Sequence, residues 1–393
     1  MVKTKGQIEG EKLLVPKLRF KEFHNKWIKL RLKDISNDIS YGMNSAATDF
    51  DGINKYIRIT DINEDTSLYN NSNPVSPSGY LDDKFLLQEN DILFARTGAS
   101  TGKTYLYNKD DGKLYFAGFL IRASIKKNYN SRFVFEQTKL NKYNNWVKIM
   151  SMRSGQPGIN STEYGNYEIS ITNSEEQEKI AKFVSLLDKK IELQQRRIEA
   201  LKIYKKGLIQ KLKYRSQNWN EYKIKNLFEI TRGQVIPKNS LKVTPDEEYK
   251  YPVYSSQTSN YGILGYDKTY DFDGKFLTWT TDGANAGKVF YRNGKFRCTN
   301  VCGLLYSPTD SPYINLLTAD LLNYETPKHV SYVGNPKLMN NVMADIKIKL
   351  PSIEIQNKIS NIFSVLNNKL LIEENKLKNL NTMKKSLLQQ MFI

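Results

Sequence analysis

Only two cysteines, Cys298 and Cys302, and two histidines, His24 and His329, stand in the 393 residues. Two thiols cannot build a disulfide framework, and a reducing cytoplasm suits them. A structural zinc site needs four ligands, and the histidines lie far from the Cys-x-x-x-Cys pair, so no metal is expected. Buried small apolar residues are the better reading of both cysteines. With so little histidine, general acid-base catalysis by imidazole is nearly closed off. There is no apolar run approaching a membrane span. The stretch from Met1 to Glu11 is polar and lacks the apolar core of a signal peptide. A Gly-rich cofactor fingerprint, an Asn-Pro-Pro-Tyr-like methyl-transfer motif and a Ser-His-Asp arrangement are all missing. The sequence therefore points to no cofactor and no catalytic residue.

What is present is positive charge. The formal net charge is +18 and the pI about 9.4. Such a balance suits a polyanion, with nucleic acid ahead of a membrane surface. A biased genome is the competing explanation, since Lys, Asn, Ile and Tyr are all abundant.

The chain also contains itself twice. Ile149–Leu212 can be laid over Lys328–Met391 without a gap at an offset of 179. Trp27–Ile35 matches Trp219–Leu227 at an offset of 192, and Gly98-x-x-x-Gly102-Lys103 matches Gly283-x-x-x-Gly287-Lys288 at 185. The second copy is thus shorter by 13 residues, lost in the domain interior. A repeat this long is a duplicated domain, not a solenoid unit. Shared edges with a divergent middle describe two related readers of two different things.

From Trp27 to about Thr172 the pattern is short and strand-like, with Tyr56-Ile57-Arg58-Ile59 and Asp91-Ile92-Leu93-Phe94 as typical pieces. The period then changes. Ser174-Glu175-Glu176-Gln177 reads as a capping box, and a heptad seam follows through Ile180, Val184, Leu187, Ile191, Gln194, Ile198, Leu201, Lys205, Leu208 and Leu212. Adding 179 gives Ile359, Phe363, Leu366, Leu370, Glu373, Leu377, Leu380, Lys384, Leu387 and Met391. The polar breaks, Gln194 with Glu373 and Lys205 with Lys384, coincide. About 38 residues make a rod of roughly 57 Å. The simplest partner for each seam is the other helix, packed antiparallel; the alternative is its own domain. The polar breaks either fix register or face a further protein.

The expected fold is α+β, with two similar globular domains joined by two long antiparallel coiled-coil helices in an internal pseudo-two-fold repeat. Residues 1–20 form a tail, 21–172 the first domain, 173–213 the first helix, 214–350 the second domain and 351–393 the second helix, which Pro351-Ser352 opens.

Gly98 to Thr104 resembles a phosphate loop and fails as one. Walker A needs four residues between its glycines; three stand here, and the second copy has Val289 where a hydroxyl should follow. Two readings remain. One is a turn approaching a DNA phosphate with Lys103 or Lys288 adding charge; the other is a tight turn with a solvated lysine. A second shared turn is Gly155-Gln156-Pro157 and Gly334-Asn335-Pro336, flanked by Arg153 and Asn160 in one copy and by Lys337 and Asn340 in the other. Gln and Asn can read adenine and Arg guanine, but the sharing favours a structural turn. At the mid-domain offset Arg96 and Arg122 fall on Thr281 and Ser307. Positions that differ between copies are where different bases would be read. The DNA-binding candidates are therefore Arg96, Lys103, Arg122, Arg153, Gln156, Thr281, Lys288, Asn335 and Lys337.

Pro16-Lys17-Leu18-Arg19-Phe20 followed by Trp27–Ile35 resembles the opening of specificity subunits of type I restriction-modification systems. Arg96 to Lys103 is similar to a mid-domain motif of that family, and Glu176–Ile191 with its copy Gln356–Leu370 to the family's helical spacers. The resemblance covers essentially the whole chain. It implies two target recognition domains, each reading half of a split double-stranded DNA target. It implies helices that fix the gap and dock two methyltransferase (modification) subunits. It extends to restriction (translocase/nuclease) subunits, whose presence the sequence leaves open. Methylation and cleavage would belong to those partners. Two other readings compete: a nuclease acting alone, separable by turnover of the isolated chain, and a free-standing pseudo-dimeric regulator, separable by co-purification with a methyltransferase.

Overall fold

The computed structural model describes residues 2–3, 15–152, 156–214 and 219–393. Two compact units result: Met1–Leu193 with Leu377–Ile393, and Gln194–Lys376. The division runs through both long helices, Ser174–Tyr214 and Ile353–Met391, and not at their ends. The physical reason is that each half-helix buries its seam within one unit.

The same antiparallel four-stranded sheet recurs in each unit. In the first the order is Ser36–Tyr41, Leu120–Ile125, Asp91–Ala95, Thr104–Leu106; in the second it is Glu229–Arg232, Cys302–Tyr306, Lys275–Thr280, Val289–Asn293. A two-stranded ribbon closes each domain, Ile28–Arg31 with Glu168–Ile171 and Asn220–Lys223 with Lys347–Leu350. The interiors differ. The first unit pairs Lys55–Ile57 with Leu114–Phe116 and Ala47–Asp49 with Val75–Pro77. The second has one three-stranded sheet, Ile263–Asp267, Tyr251–Tyr254, Arg297–Cys298. Tyr56-Ile57-Arg58-Ile59 is only partly a strand, for a 3-10 turn begins at Ile59.

All twenty seam positions, from Ile180 to Leu212 and from Ile359 to Met391, are buried or half-buried. In the first unit Ile180, Val184, Leu388, Met391 and Phe392 join the core of Trp27 and Phe133. The ring of Phe392 lies 6.0 Å from Trp27 and 5.1 Å from Phe133. In the second unit Phe363, Ile359 and Leu366 pack with Leu208 and Leu212 against Leu317, Leu322 and Ile348. Seams thus meet both the other helix and the domain.

The helical segments run antiparallel within the second unit, since Gln194 meets Glu373 while Lys205 meets Asn367. Gln194 Nε2 donates to Glu373 Oε2 at 2.7 Å and to its carbonyl at 3.0 Å. Lys205 Nζ reaches Asp320 and Asn367, each at 2.8 Å. In the first unit Lys384 Nζ reaches Asp188 at 2.5 Å, the repeat equivalent of Lys205 and Asn367. The polar seam residues thus find their partners inside the units.

The capping box needs correction. Asn173, not Ser174, caps the first helix, its Oδ1 accepting from Glu176 N–H at 2.9 Å. Gln177 is drawn inward, donating to Thr172 O at 2.7 Å and accepting from Asn130 N–H at 3.0 Å. Glu176 takes both guanidinium bonds of Arg19 at 2.7 Å in a buried pair, which gives Arg19 in the opening motif a structural duty. Cys298 and Cys302 face each other at 3.5 Å in a core with Phe296 and Leu304, and burial pushes the Cys298 thiol up.

Candidate nucleic-acid interface

The two glycine motifs found separately in the sequence meet in space, and do so in both units. Gly98 N–H donates to Pro157 O at 2.9 Å, and Gly283 N–H to Pro336 O at 2.9 Å. Each Gly-x-x-x-Gly-Lys segment is the connection between two antiparallel strands. Its glycines sit at φ 68° and 90° in one copy and 91° and 86° in the other, a region that disfavours side chains. Ala95 N–H bonds Lys103 O at 2.8 Å, and Thr280 N–H bonds Lys288 O at 3.0 Å. The amides of Gly98, Thr101, Gly102 and Lys103 are all engaged by the protein's own carbonyls. The backbone therefore has little left to cradle a phosphate, and charge from the lysines is the remaining contribution. Lys103 Nζ lies 3.4 Å from Glu64; the Lys288 residue is exposed overall, but its ammonium is set near Asp320, and burial there pushes its pKa down.

Side chains around this doubled turn differ. In the first unit the Arg96 guanidinium lies 5.0 Å from the Tyr41 ring and 5.8 Å from Phe119, and its Nε donates to Gly118 O at 3.0 Å. Tyr41 and Phe119 flank Arg96 while remaining 41% and 56% exposed. Burial works against ionisation of the Tyr41 hydroxyl. Hydrogen bonding to Ser161 and the Arg96 charge outweigh it and hold the group below its usual range. Gln156 is exposed beside Gly98. In the second unit Asn335 and Lys337 are exposed on the matching turn.

Two candidates need correction. Thr281 is fully buried and its hydroxyl donates to Asp282 at 2.6 Å, so its side chain presents nothing to a duplex. Arg122 does not correspond to Ser307. Arg122 lies opposite Leu93 in the sheet, and the residue opposite the matching Thr278 is Leu304. The copies lose three residues between these strands, so the mid-domain offset no longer applies. Arg122 is engaged inside its domain, 3.1 Å from Asp38, 3.0 Å from Lys84 O and 5.2 Å from the Phe116 ring. Burial opposes the Asp38 charge, but hydrogen bonds from Ser40 and Arg122 prevail and hold its carboxyl below the usual range. Arg153 lies outside the described residues.

Sequence reasoning missed the pairing of Tyr41 with Arg232. Tyr41 lies opposite Ile121, which lies opposite Phe94; Arg232 lies opposite Gly303, which lies opposite Trp279. The signal was the next residue. A Cβ on Gly42 would sit 2.2 Å from Ala117 O, and one on Gly233 2.0 Å from Cys298 O, so both positions exclude any side chain.

The family model for the type I restriction modification DNA specificity domain matches the chain twice, over residues 24–202 and 216–382. An N-terminal type I specificity subunit protein of Mycoplasma pneumoniae is 48% identical over 142 residues, 36% of this chain and 74% of that protein. The specificity subunit of the type I restriction enzyme MpnII from the same organism is 44% identical over 142 residues, and the match spans 42% of its length. The crystal structure of a type I restriction-modification S subunit from M. genitalium aligns with a TM-score of 0.63 at 17% identity, over 97% of this chain and 99% of that one. A structure reported for assembly and conformational transition of the type I system aligns at 0.52 and 16% identity, over 93% and 97%. At such identities the likeness is one of fold.

Proposed function

From the premise that this chain belongs to the type I restriction modification DNA specificity family, we propose that it is a non-catalytic recognition subunit. It reads a two-part target in double-stranded DNA and docks modification (methyltransferase) and restriction subunits in the cytoplasm. The observation that carries the reading is one turn-on-turn frame, built twice, around side chains that differ. A constant frame positions the protein on the backbone, and variable side chains specify bases. The net charge of +18 supplies the sequence-independent attraction.

Docking is supported by a second apolar stripe on the spacer helices. Leu186 and Leu193 are 59% and 55% exposed on the first, and their repeat equivalents Val365 and Ile372 are 68% and 54% exposed on the second. A repeated, uncovered stripe suits two copies of one partner. Among the described residues no helix is long and apolar enough to cross a membrane.

The test co-purifies the full chain with the methyltransferase subunits of its host and selects bound duplexes from a random library. Two fixed half-sites at a constant gap are expected. Substituting Lys103 and Lys288 with Ala should weaken all duplexes alike and flatten the dependence of log K on log salt by about one unit per true phosphate contact. A stable complex that enriches no sequence, or a single undivided one, would overturn the reading.

A further inference from the structure

Most arginines in the described residues are neutralised: Arg19 by Glu176, Arg58 by Asp61, Arg122 by Asp38, Arg132 by Glu136, Arg197 by Glu373 and Arg297 by Asp267. Arg292 also lacks a carboxylate but is buried against the Tyr254 ring with its terminal nitrogen on Tyr261 O; Arg96 and Arg232 differ from it in being open to solvent. Among the described residues neither has a carboxylate within ion-pair reach, and both are half-buried at the rim of the doubled turn. Each is anchored through Nε: Arg96 to Gly118 O at 3.0 Å, Arg232 to Asn340 Oδ1 at 2.8 Å. The further contact of Arg232 is weak, one terminal nitrogen 3.5 Å from the Met339 sulfur. A guanidinium held by Nε keeps its terminal fork for a planar acceptor pair.

Sheet register makes the comparison sharper. Tyr41 and Arg232 occupy one position of the repeated frame, and Arg96 and Thr281 occupy another. Arg96 and Thr281 each donate a backbone N–H to the matching hairpin, to Phe119 O and Val301 O. In the first unit the side chains at these two positions touch, Arg96 lying 5.0 Å from the Tyr41 ring. The second unit buries Thr281 and carries its cation on Glu229–Arg232, two strands away across Cys302–Tyr306. Even the supporting contact is kept: Tyr41 Oη accepts from Ser161 N–H at 3.1 Å, and Arg232 donates to Asn340, the repeat equivalent of Ser161. The guanidinium stands two strands over while the frame stays.

The geometry points to Arg96 and Arg232 as matched specificity-determining residues, each reading a guanine in its own half of the target. This rests on the DNA-reading function proposed above. The O6 and N7 atoms of guanine offer the acceptor pair that an open guanidinium fork fits, and no other base edge in the major groove offers two acceptors so placed. The different strand of origin means the two guanines stand at different places within their half-sites. Phe119 and Tyr41 flank only the first fork, so an apolar contact such as a thymine methyl belongs beside the first guanine and not beside the second.

The test is duplex selection with the full chain in complex with its methyltransferase subunits, comparing wild type, Arg96→Gln, Arg232→Gln and Arg232→Lys. Arg232→Gln is expected to relax or change one G·C position in one half-site and leave the other half-site intact. Affinity for the original duplex should fall about 5- to 100-fold. Arg96→Gln should do the same to the other half-site. Arg232→Lys keeps the charge without the fork, and should weaken the G·C preference less than Arg232→Gln does while the salt dependence stays unchanged. The untouched half-site reports that the complex is intact, and if Arg232→Gln does not fold, Arg232→Lys carries the test. Unaltered half-sites would overturn the inference. So would a loss equal for all duplexes with a salt slope flatter by about one, which marks a phosphate contact. A wild type that enriches no half-sites is instead a failure of the proposed function.

Discussion

Replacing Lys205 with Met isolates the polar break in the helical seam of the second unit. Lys205 Nζ sits 2.8 Å from Asp320, and the two side chains are 16% and 14% exposed. The other carboxylate oxygen of Asp320 is buried with no hydrogen-bond partner among the described residues. Removing the lysine leaves that carboxylate buried with only the more distant Lys288 charge to offset it. Deleting one partner of a fully buried pair costs about 3–5 kcal/mol, and the residual exposure here brings the expectation to about 2–3 kcal/mol. Burial raises the Asp320 pKa, and Lys205 partly offsets it. A raised carboxyl favours the fold only while it is protonated, and that contribution is lost as pH climbs through the folded pKa. Without Lys205 the folded pKa rises further, so the cost of Lys205→Met should be larger at pH 8 than at pH 5.5. Hydrogen exchange of Leu316–Glu325, the helix that carries Asp320, reads the local opening free energy. The double variant Lys205→Met with Asp320→Leu should recover most of the loss, because an apolar pair of similar volume replaces the ions. A cost under about 0.5 kcal/mol, a cost independent of pH, or no recovery in the double variant would refute the reasoning.

Two further outcomes are expected. Gln177 and Gln356 are buried and hold each spacer helix to its domain, Gln356 through Pro351 O and Asn315, each at 2.9 Å. Leu at either position should cost about 2–4 kcal/mol in urea unfolding, since backbone and amide groups are left unpaired; a neutral result at both would show that water replaces the amide. Lys139 lies 4.2 Å from the Phe135 ring and 2.9 Å from Thr104 Oγ1, and burial pushes its pKa down to about 7. Glu136 and Asp188 oppose that shift, while Lys384 and Arg132 add to it. Between about pH 7 and its ordinary value of 10.5 the unfolded chain keeps the proton and the fold does not, so stability rises with pH by up to about 1.4 kcal/mol per unit. Wild type should therefore gain on Lys139→Met across that window in urea unfolding, and a flat difference would sink the buried-neutral lysine.

The seam was legible because periodicity is a property of burial itself: a heptad pattern cannot persist over about forty residues unless something covers it. The partner was less legible, since Leu208 or Phe363 satisfies a helix and a domain with the same apolar surface. Both glycine turns were visible as motifs, but their contact was not. The bond from Gly98 to Pro157 joins backbone atoms and imposes no side chain that a sequence would display. Asn173 displaced Ser174 as the cap because the two residue types cap almost equally well, and Gln177 was wanted elsewhere. Arg122 was assigned a wrong counterpart because an offset is constant only between deletions, whereas sheet register is fixed by hydrogen bonds.

Duplicated domains can come to differ through partner exchange around a retained backbone. Lys205 and Lys384 are one position of the repeat, and both ammonium groups meet the facing helix at one position, Asn367 and Asp188. Their charges are met differently. Lys384 is neutralised by Asp188 on the facing helix, which Arg132 also grips; Lys205 faces neutral Asn367 and takes its carboxylate from Asp320 on the domain helix. A buried ammonium needs a carboxylate nearby, but the requirement does not say from which element. The backbone frame is therefore retained while the partner migrates. On the proposed function, Arg96 and Arg232 follow that pattern at the rim of the doubled turn, where each keeps a neutral anchor, Gly118 O or Asn340 Oδ1, and leaves its terminal nitrogens for the target. Within the units a migrating charge must be matched by a compensating residue; at the rim, where DNA is proposed to supply the compensation, migration would change what is read and leave the fold alone.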